Sequence, residues 1–148
     1  MTKIQLKEIN EKNWEKCISL RVGKDQEQFV ASNIYSLVQS RYETSYIPLA
    51  AYDEEEMVGF VMYGKDPDDG VYWIVRLMVG EKFQGKGYGK QILLKTMEQI
   101  KMLPDCGSFI ITSYVPENTI AEKLYEKVGF IKTGEIIDEE NIMKFYIV

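Results

Sequence analysis

The sequence predicts an α/β protein in which a mixed sheet carries helices on both faces. Alternating or continuous apolar runs are typical of strands, and apolar residues three and four positions apart are typical of helices. These segments interleave along the chain in the order βααββββαβαββ, which favours a sheet layered with helices. The length of 148 residues predicts a single domain, residues 1–148.

The first half of the chain predicts one strand, two helices and a hairpin. Apolar residues alternate with polar ones in the strand and have helical spacing in the two helices. Asp25 is the expected N-cap of the second helix, and the acidic run 53–56 is the expected hairpin turn. The predicted bounds are 3–9 for the strand, 13–22 and 26–39 for the helices, and 46–52 and 57–63 for the hairpin strands.

The second half alternates strands with helices. A turn over 66–70 precedes a long strand that ends at a glycine-rich loop. Pro116 is expected to start the last helix, Gly129 to close it as the C′ residue, and a turn over 138–141 to join the final strands. The predicted bounds are 71–79, 109–115, 130–137 and 142–147 for the strands, and 90–102 and 116–128 for the helices.

Charge and composition narrow the partners. A net charge of −5 argues against nucleic acid, which needs a basic face, and fits a cationic substrate. Apolar runs such as 109–111 are too short to span a membrane, and no signal-peptide pattern is visible. Cys17 and Cys106 form no metal or disulfide pattern, so we expect a cytoplasmic location and no metal.

The chain contains no histidine. A Ser–His or Cys–His nucleophile is therefore excluded. Any acid or base must be Tyr, Glu, Asp, Lys, Cys, water or a terminus. We expect Cys17 and Cys106 to be buried or loop residues rather than nucleophiles.

The run Gln84-Gly85-Lys86-Gly87-Tyr88-Gly89 is the motif that points most directly to chemistry. It lies between a predicted strand and a predicted helix. Glycines leave backbone N–H groups accessible, and the positive end of the helix dipole lies behind them, so the loop suits a pyrophosphate. Lys86 and Lys90 add positive charge close by.

Two motifs together resemble those of the GCN5-related N-acetyltransferase (GNAT) family. The run 84–89 is similar to its Q/R-x-x-G-x-G/A loop, and the run 118–130 is similar to its N-x-x-A-x-x-L-Y-x-K-x-G-F segment. The resemblance covers nearly the whole chain. It implies a GNAT fold, an α/β (α+β) structure with a central mixed, mostly antiparallel sheet of six to seven strands. It also implies acetyl-CoA as the donor and a primary amine that attacks it directly in a ternary complex.

The resemblance further assigns residues to the cofactor. In the family, the strand before the loop splays from its neighbour and contacts the acetyl and pantetheine groups, while the loop holds the pyrophosphate. Carried over by position, the cofactor-binding residues are Leu77, Met78, Val79, Gln84, Gly85, Lys86, Gly87, Tyr88, Gly89, Lys90, Asn118, Ala121, Leu124 and Lys127.

Tyr125 is the residue that the resemblance places near the thioester sulfur. A phenol, with a pKa of about 10, can act as the general acid that protonates the departing thiolate. The alternative interpretation is an aromatic side chain that only packs in the core. Val79 N–H is the expected donor to the thioester oxygen. Asn118 is interpreted as an N-cap, as a pantetheine contact, or as both.

Three carboxylates are considered for the acceptor side. Alkylamines are mostly protonated at pH 7, so the amine must lose a proton before it attacks. Glu27, on the predicted second helix, is considered as the base or as a substrate carboxylate. Glu135 and Glu139, near the last hairpin, are considered both as candidates for the base and as substrate-binding residues. Each of them is alternatively a solvated surface charge.

Within the family, the chain resembles the bacterial spermine/spermidine (diamine) N-acetyltransferases. The similarity is carried by 22–30 with the following Asn33, Ser36 and Leu37, by 59–64, and by Gly134-Glu135. It implies a polyamine acceptor, a small cation that suits a groove lined by carboxylates.

One position departs from that pattern. Related polyamine enzymes often carry an acidic residue in the stretch 74–77, where this chain has Val75 and Arg76. Arg76 is expected either to pair with Glu27 or Asp25 or to repel a cation. Another small amine, the N-terminal amine of a protein, and a non-catalytic acetyl-CoA-binding regulatory module therefore stay open. A homodimer is possible by analogy with the family.

Overall fold

The computed structural model describes residues 3–147, which form one seven-stranded sheet with four α-helices. The elements are β1 (Ile4–Glu8), α1 (Trp14–Ser19), α2 (Asn33–Tyr42), β2 (Tyr46–Asp53), β3 (Glu56–Lys65), β4 (Tyr72–Val79), α3 (Tyr88–Lys101), β5 (Phe109–Tyr114), α4 (Thr119–Val128), β6 (Ile131–Ile137) and β7 (Glu140–Tyr146). The strands lie in the order β1-β2-β3-β4-β5-β7-β6. Neighbours are antiparallel except β4 and β5, which are parallel. This confirms the predicted mixed, mostly antiparallel sheet.

Helices cover both faces of the sheet. On one face α3 contributes Ile92 and Ile100, both fully buried, to the larger core. On the other face α1 and α2 cover a smaller core that includes Phe60 and Met62. Successive strand residues point to opposite faces, so Val61, between those two residues, belongs to the larger core. No helix within residues 3–147 is both long enough and apolar enough to cross a membrane.

The second helix begins later than predicted. α2 starts at Asn33 rather than at 26, and Ser32 caps it by accepting a hydrogen bond from Tyr35 N–H at 3.1 Å. Asp25 lies in a short 3-10 turn, Lys24–Gln26, and makes no cap. The prediction was wrong because the capping signal at Ser32 outweighs the helical spacing of the apolar residues before it. The residues between that turn and α2 instead run beside the site described below.

One prediction about the order of the elements and two about their bounds also need correction. Three strands, not four, lie between α2 and α3, because β3 and β4 account for the whole stretch after β2. α1 ends at Ser19 rather than at 22, because the chain becomes extended at Leu20. β7 begins at Glu140, inside the predicted turn, because Asp138 and Glu139, with φ of 49° and 66°, complete the turn by themselves.

The ends of α4 confirm two predictions. Asn118 is the N-cap, and its Oδ1 accepts a hydrogen bond from Ala121 N–H at 3.2 Å. Gly129 closes the helix with a φ of 118°, a left-handed conformation that favours glycine. The helix therefore begins at Thr119 rather than at Pro116. α3 likewise begins at Tyr88 instead of 90, because the glycine loop leads directly into it.

β4 and β5 pair at one end only. Their register joins Tyr72 with Ile110, Trp73 with Ile111 and Ile74 with Thr112. Beyond this point β4 continues to pair with β3, and β5 continues to pair with β7. The two strands therefore separate, as the resemblance implies, and leave one edge of β4 open from Val75 to Val79.

Candidate active site

Two cavities meet where β4 and β5 separate. One, the loop cavity, has a volume of about 490 Å³ and lies beside the glycine loop 84–89. The other, the acidic cavity, has a volume of about 650 Å³ and is lined by residues from the β3–β4 and β6–β7 turns. Leu77, Asn118, Ala121 and Tyr125 line both cavities. Groups bound in the two cavities can therefore meet beside these residues.

The loop cavity brings together the predicted cofactor-binding residues. All of them line it except Lys86, which is exposed and lies outside the lining. Lys90 and Lys127 bring positive charge to it, and no carboxylate of residues 3–147 lines it. Sequence reasoning missed the remaining lining residues, which are Val22, Gln26, Phe29, Val30, Phe83 and Ile120.

The glycine loop has the geometry of an anion site. Gly85 and Gly87 have φ of 78° and 85°, and a Cβ added to either would meet nothing within 4 Å. Glycine is therefore required by the backbone conformation rather than by crowding. Within the described part of the chain, the backbone N–H groups of residues 85–90 have no acceptor. These donors, at the start of α3, suit a phosphate group.

The first turn of α3 is fixed from the side. Tyr88 donates its hydroxyl hydrogen bond to an Asp53 carboxylate oxygen at the β2–β3 turn. This hydrogen bond raises the pKa of Tyr88, so the phenol remains a donor at neutral pH. Gly89, one residue on, lies close enough to Leu124 that an added Cβ would meet its side chain at 3.6 Å. The loop is therefore held against both β2 and α4.

The open edge of β4 presents free backbone groups to the cavities. Gly80 N–H donates to Val58 O at 2.9 Å, and Val79 lies opposite Gly59. Because hydrogen-bonded and non-hydrogen-bonded pairs alternate in an antiparallel ladder, the N–H groups of Leu77 and Val79 point away from β3. They point towards the space between β4 and β5, where the two strands have separated. The sequence analysis expected Val79 N–H to donate to the thioester oxygen and named Leu77 among the residues of this strand that contact the cofactor.

Tyr125 is both packed in the core and accessible to the two cavities. Its side chain is 6% exposed, and its ring centroid lies 5.5 Å from that of Phe130. Burial raises the pKa of Tyr125, the charge of Glu140 raises it further, and the Thr112 hydroxyl partly offsets this rise. The phenol is therefore protonated at neutral pH and can donate a proton. The two interpretations of this residue are compatible.

The acidic cavity collects carboxylates from three separate segments. Glu27 lines it, as sequence reasoning expected of a substrate carboxylate. Glu135 and Glu139 are exposed and lie outside the lining, because β6 and the β6–β7 turn carry them away from the cavity. Their neighbours on the same hairpin line it instead. The acidic lining residues are Glu27, Asp66, Asp69, Asp138 and Glu140.

Arg76 is the only cation of residues 3–147 that lines the acidic cavity. Its Nη2 donates to Gln39 Oε1 at 2.9 Å, and its guanidinium lies 5.8 Å from the centre of the Tyr35 ring. Its Nε is buried and has no hydrogen-bond partner in the described chain. The expected pairing with Glu27 or Asp25 is not formed, because Gln39 on α2 takes the guanidinium while those carboxylates lie on the turn before α2.

Neither cysteine belongs to the site. Cys17 lies on α1 and is fully buried, and Cys106 lies in the loop before β5. Burial raises the pKa of the Cys17 thiol to about 11, which keeps it a neutral thiol rather than a nucleophilic thiolate. Neither residue lines the loop cavity or the acidic cavity.

Comparison with known proteins agrees with this architecture. The model of the acetyltransferase (GNAT) family matches residues 5–130. The chain is 30% identical to a spermine/spermidine N(1)-acetyltransferase of Bacillus subtilis over 140 residues, which cover 90% of this chain and 91% of that protein. The chain therefore belongs to the GNAT acetyltransferase family.

Solved structures share the fold at low sequence identity. A spermidine N-acetyltransferase from Vibrio cholerae, in complex with CoA and spermine, has a TM-score of 0.74 at 15% identity and covers 98% of this chain and 95% of its own. A ribosomal L7/L12 alpha-N-protein acetyltransferase, in complex with coenzyme A, has a TM-score of 0.74 at 15% identity, with 99% and 96% covered. These two proteins act on different amines, so the fold by itself does not identify the acceptor.

Proposed function

We propose that the protein transfers the acetyl group of acetyl-CoA to a primary amine of a polyamine such as spermidine or spermine. The observation that carries the proposal is that two cavities of opposite charge meet at Tyr125. The loop cavity has lysines and free backbone N–H groups, which suit the anionic donor. The acidic cavity has five carboxylates, Glu27 among them, and suits an acceptor with several positive charges. The Bacillus subtilis relative is named for that activity.

The donor would lie along the open edge of β4. The backbone N–H groups of residues 85–90 would bind the pyrophosphate, and Lys90 and Lys127 would add charge. Leu77 and Val79 would offer backbone donors to the pantetheine arm and to the thioester oxygen. CoA supplies the activated thioester, and the chain supplies position and hydrogen-bond donors.

The reaction balances without an enzyme nucleophile. The acceptor ammonium first loses a proton towards the carboxylates and water of the acidic cavity. The free amine then attacks the thioester carbon, a C–N bond forms, and the C–S bond breaks. Tyr125 gives its proton to the leaving sulfur and regains one from the acylated nitrogen. The products are an acetylated amine, CoA thiol and one proton released to water.

Arg76 supports a second acceptor class, the N-terminal amine of a polypeptide. Its guanidinium lies in the wall of the acidic cavity. The carbonyl oxygens of a peptide would accept hydrogen bonds from a guanidinium, whereas a polyamine offers no such acceptor. The fold similarity to the ribosomal protein acetyltransferase is consistent with this alternative.

An acceptor panel tests the proposal. Purified protein is incubated with acetyl-CoA and spermidine, spermine, diamines or short peptides with free N-termini, and products are identified by mass spectrometry. The proposal expects acetylated spermidine or spermine at the highest kcat/KM. A preference for peptides would favour the second candidate. Tight acetyl-CoA binding with no turnover of any amine would indicate a binding module instead.

Two further expectations remain predictions. The exposed edge strand β6 carries Ile131, Ile136 and Ile137 at 58%, 66% and 45% exposure, which is consistent with a homodimer. Light scattering on the purified protein would measure the oligomeric state. The cytoplasmic location rests on the sequence argument alone, and fractionation of cells would test it.

A further inference from the structure

Glu140 differs from the other carboxylates of the acidic cavity in its position on the sheet. It is the first residue of β7, it is half-buried, and it lines the cavity. Its Oε1 accepts a hydrogen bond from Ser113 Oγ at 2.8 Å. Ser113 follows Thr112, the last β5 residue that pairs with β4. The Ser113–Glu140 pair therefore lies where the two strands begin to separate.

Glu140 also lies within electrostatic range of the reacting centre. Glu140 is the one carboxylate among the described residues whose charge contributes to the raised pKa of Tyr125. Asp66 and Asp69 are on the β3–β4 turn, and Glu27 is on the segment before α2. Those three carboxylates, whose charges do not contribute to the raised pKa of Tyr125, suit the other charges of a long acceptor.

We propose that Glu140 is the carboxylate that holds the reacting ammonium group of the acceptor beside Tyr125, and that Ser113 fixes its side chain in that position. This assignment rests on the proposed acetyl transfer to a cationic amine. The ammonium donates a hydrogen bond to Glu140. Its proton leaves to Glu140 and then to water, and the freed nitrogen lone pair faces the thioester carbon. Glu140 is thus a catalytic residue and Ser113 a positioning residue.

The assignment predicts a particular pattern in the kinetics. Glu140→Gln keeps the size of the side chain and removes its charge, so kcat/KM for spermidine should fall by about 10- to 100-fold, the value of a hydrogen bond to a charged group. The KM for acetyl-CoA should not change. Ser113→Ala should lower kcat/KM for spermidine by about three- to tenfold. The double variant should have a kcat/KM only slightly below that of Glu140→Gln alone, because the two residues act as one unit.

Matched variants separate this role from a general effect of charge or folding. Glu98→Gln, on the exposed surface of α3, makes the same charge change away from both cavities. Asp138→Asn removes a carboxylate of the acidic cavity that is two residues away. Glu98→Gln should retain kcat/KM for spermidine within about threefold, whereas Asp138→Asn should lose less than Glu140→Gln does. Thermal unfolding should show that all variants are folded.

The outcomes distinguish the two proposals. If the wild-type protein acetylates spermidine and Glu140→Gln behaves like Glu98→Gln, the assignment of Glu140 is wrong and the proposed function stands. A larger loss in Asp138→Asn than in Glu140→Gln would also overturn the assignment. If the wild-type protein acetylates no amine, both proposals fail together. Loss of kcat/KM in Glu140→Gln with unchanged acetyl-CoA KM supports the assignment.

Discussion

Gln84 Nε2 donates a hydrogen bond to Gln26 Oε1 at 2.8 Å and a second to Val79 O at 2.9 Å. One side chain therefore joins the glycine loop, the end of β4 and the short turn before α2. Because Gln26 and Gln84 both line the loop cavity, this contact links the two walls of that cavity.

Removing the contact should weaken donor binding. Gln26→Ala leaves Gln84 with only its bond to Val79 and frees one wall of the loop cavity. A net hydrogen bond is worth about 1 kcal/mol, so the KM for acetyl-CoA should rise about fivefold. Steady-state kinetics would measure this, with Gln5→Ala on the exposed face of β1 as the control. An effect on the acceptor KM alone would contradict the account.

The conformation of the glycine loop makes a second prediction. Gly87→Ala places a Cβ on a residue with a φ of 85°, where there is space but the backbone is strained. The variant should lose about 1 kcal/mol of stability and bind acetyl-CoA more weakly. Gly107→Ala is the matched control, because its Cβ would also meet nothing within 4 Å and its φ lies outside the strained range. Urea denaturation would measure the stability of each variant, and calorimetric titration would measure its affinity for acetyl-CoA. Equal effects of Gly87→Ala and Gly107→Ala on both would count against the assigned role of the loop.

Tyr125→Phe tests proton donation to the leaving thiolate. Loss of a general acid should lower kcat by about 100-fold or more, with little change in either KM. Because burial raises the pKa of Tyr125 above its ordinary value, the phenol stays protonated at neutral pH, and its ionisation should not lower the wild-type rate until the pH exceeds the ordinary range of a tyrosine. Tyr146→Phe, at an exposed tyrosine, is the control. An unchanged rate and pH profile in Tyr125→Phe would show that this residue only packs in the core.

The buried Cys17 thiol makes stability depend on pH. Its pKa is raised to about 11 in the folded chain, so the folded state holds the proton more tightly than the unfolded state does. The resulting stability is fully present below about pH 9 and is lost as the pH rises through about 11. The difference in unfolding free energy between wild type and Cys17→Ala should therefore narrow across this range. Urea denaturation at several pH values would measure this difference. A difference that stays constant from pH 9 to 11 would contradict the prediction.

The sequence predicts the loop cavity better than the acidic cavity. The glycine loop and the Asn118–Phe130 run are contiguous motifs, so their spacing along the chain carries the geometry. The acidic cavity draws Glu27, Asp66 and Glu140 from three distant segments, and only the folded sheet brings them together. Such placement leaves no local pattern to detect.

At two places the sequence carries a local signal for the observed structure, but the prediction followed a competing pattern beside it. Ser32-Asn33 is a capping pair that marks the start of α2, but the apolar residues before it also have helical spacing. At the last hairpin, the acidic run reads as one long turn. A two-residue turn at Asp138 and Glu139 instead places Glu140 in β7 and reverses which carboxylates face the cavity.

Initial rates of spermidine acetylation, with both substrates varied, test the central claim most directly. If both cavities are occupied together and the amine attacks bound acetyl-CoA at Tyr125, the double-reciprocal lines should intersect, and no acetylated enzyme should accumulate without the amine. Parallel lines, or a stable acetyl-enzyme seen by mass spectrometry, would contradict direct transfer between the two cavities.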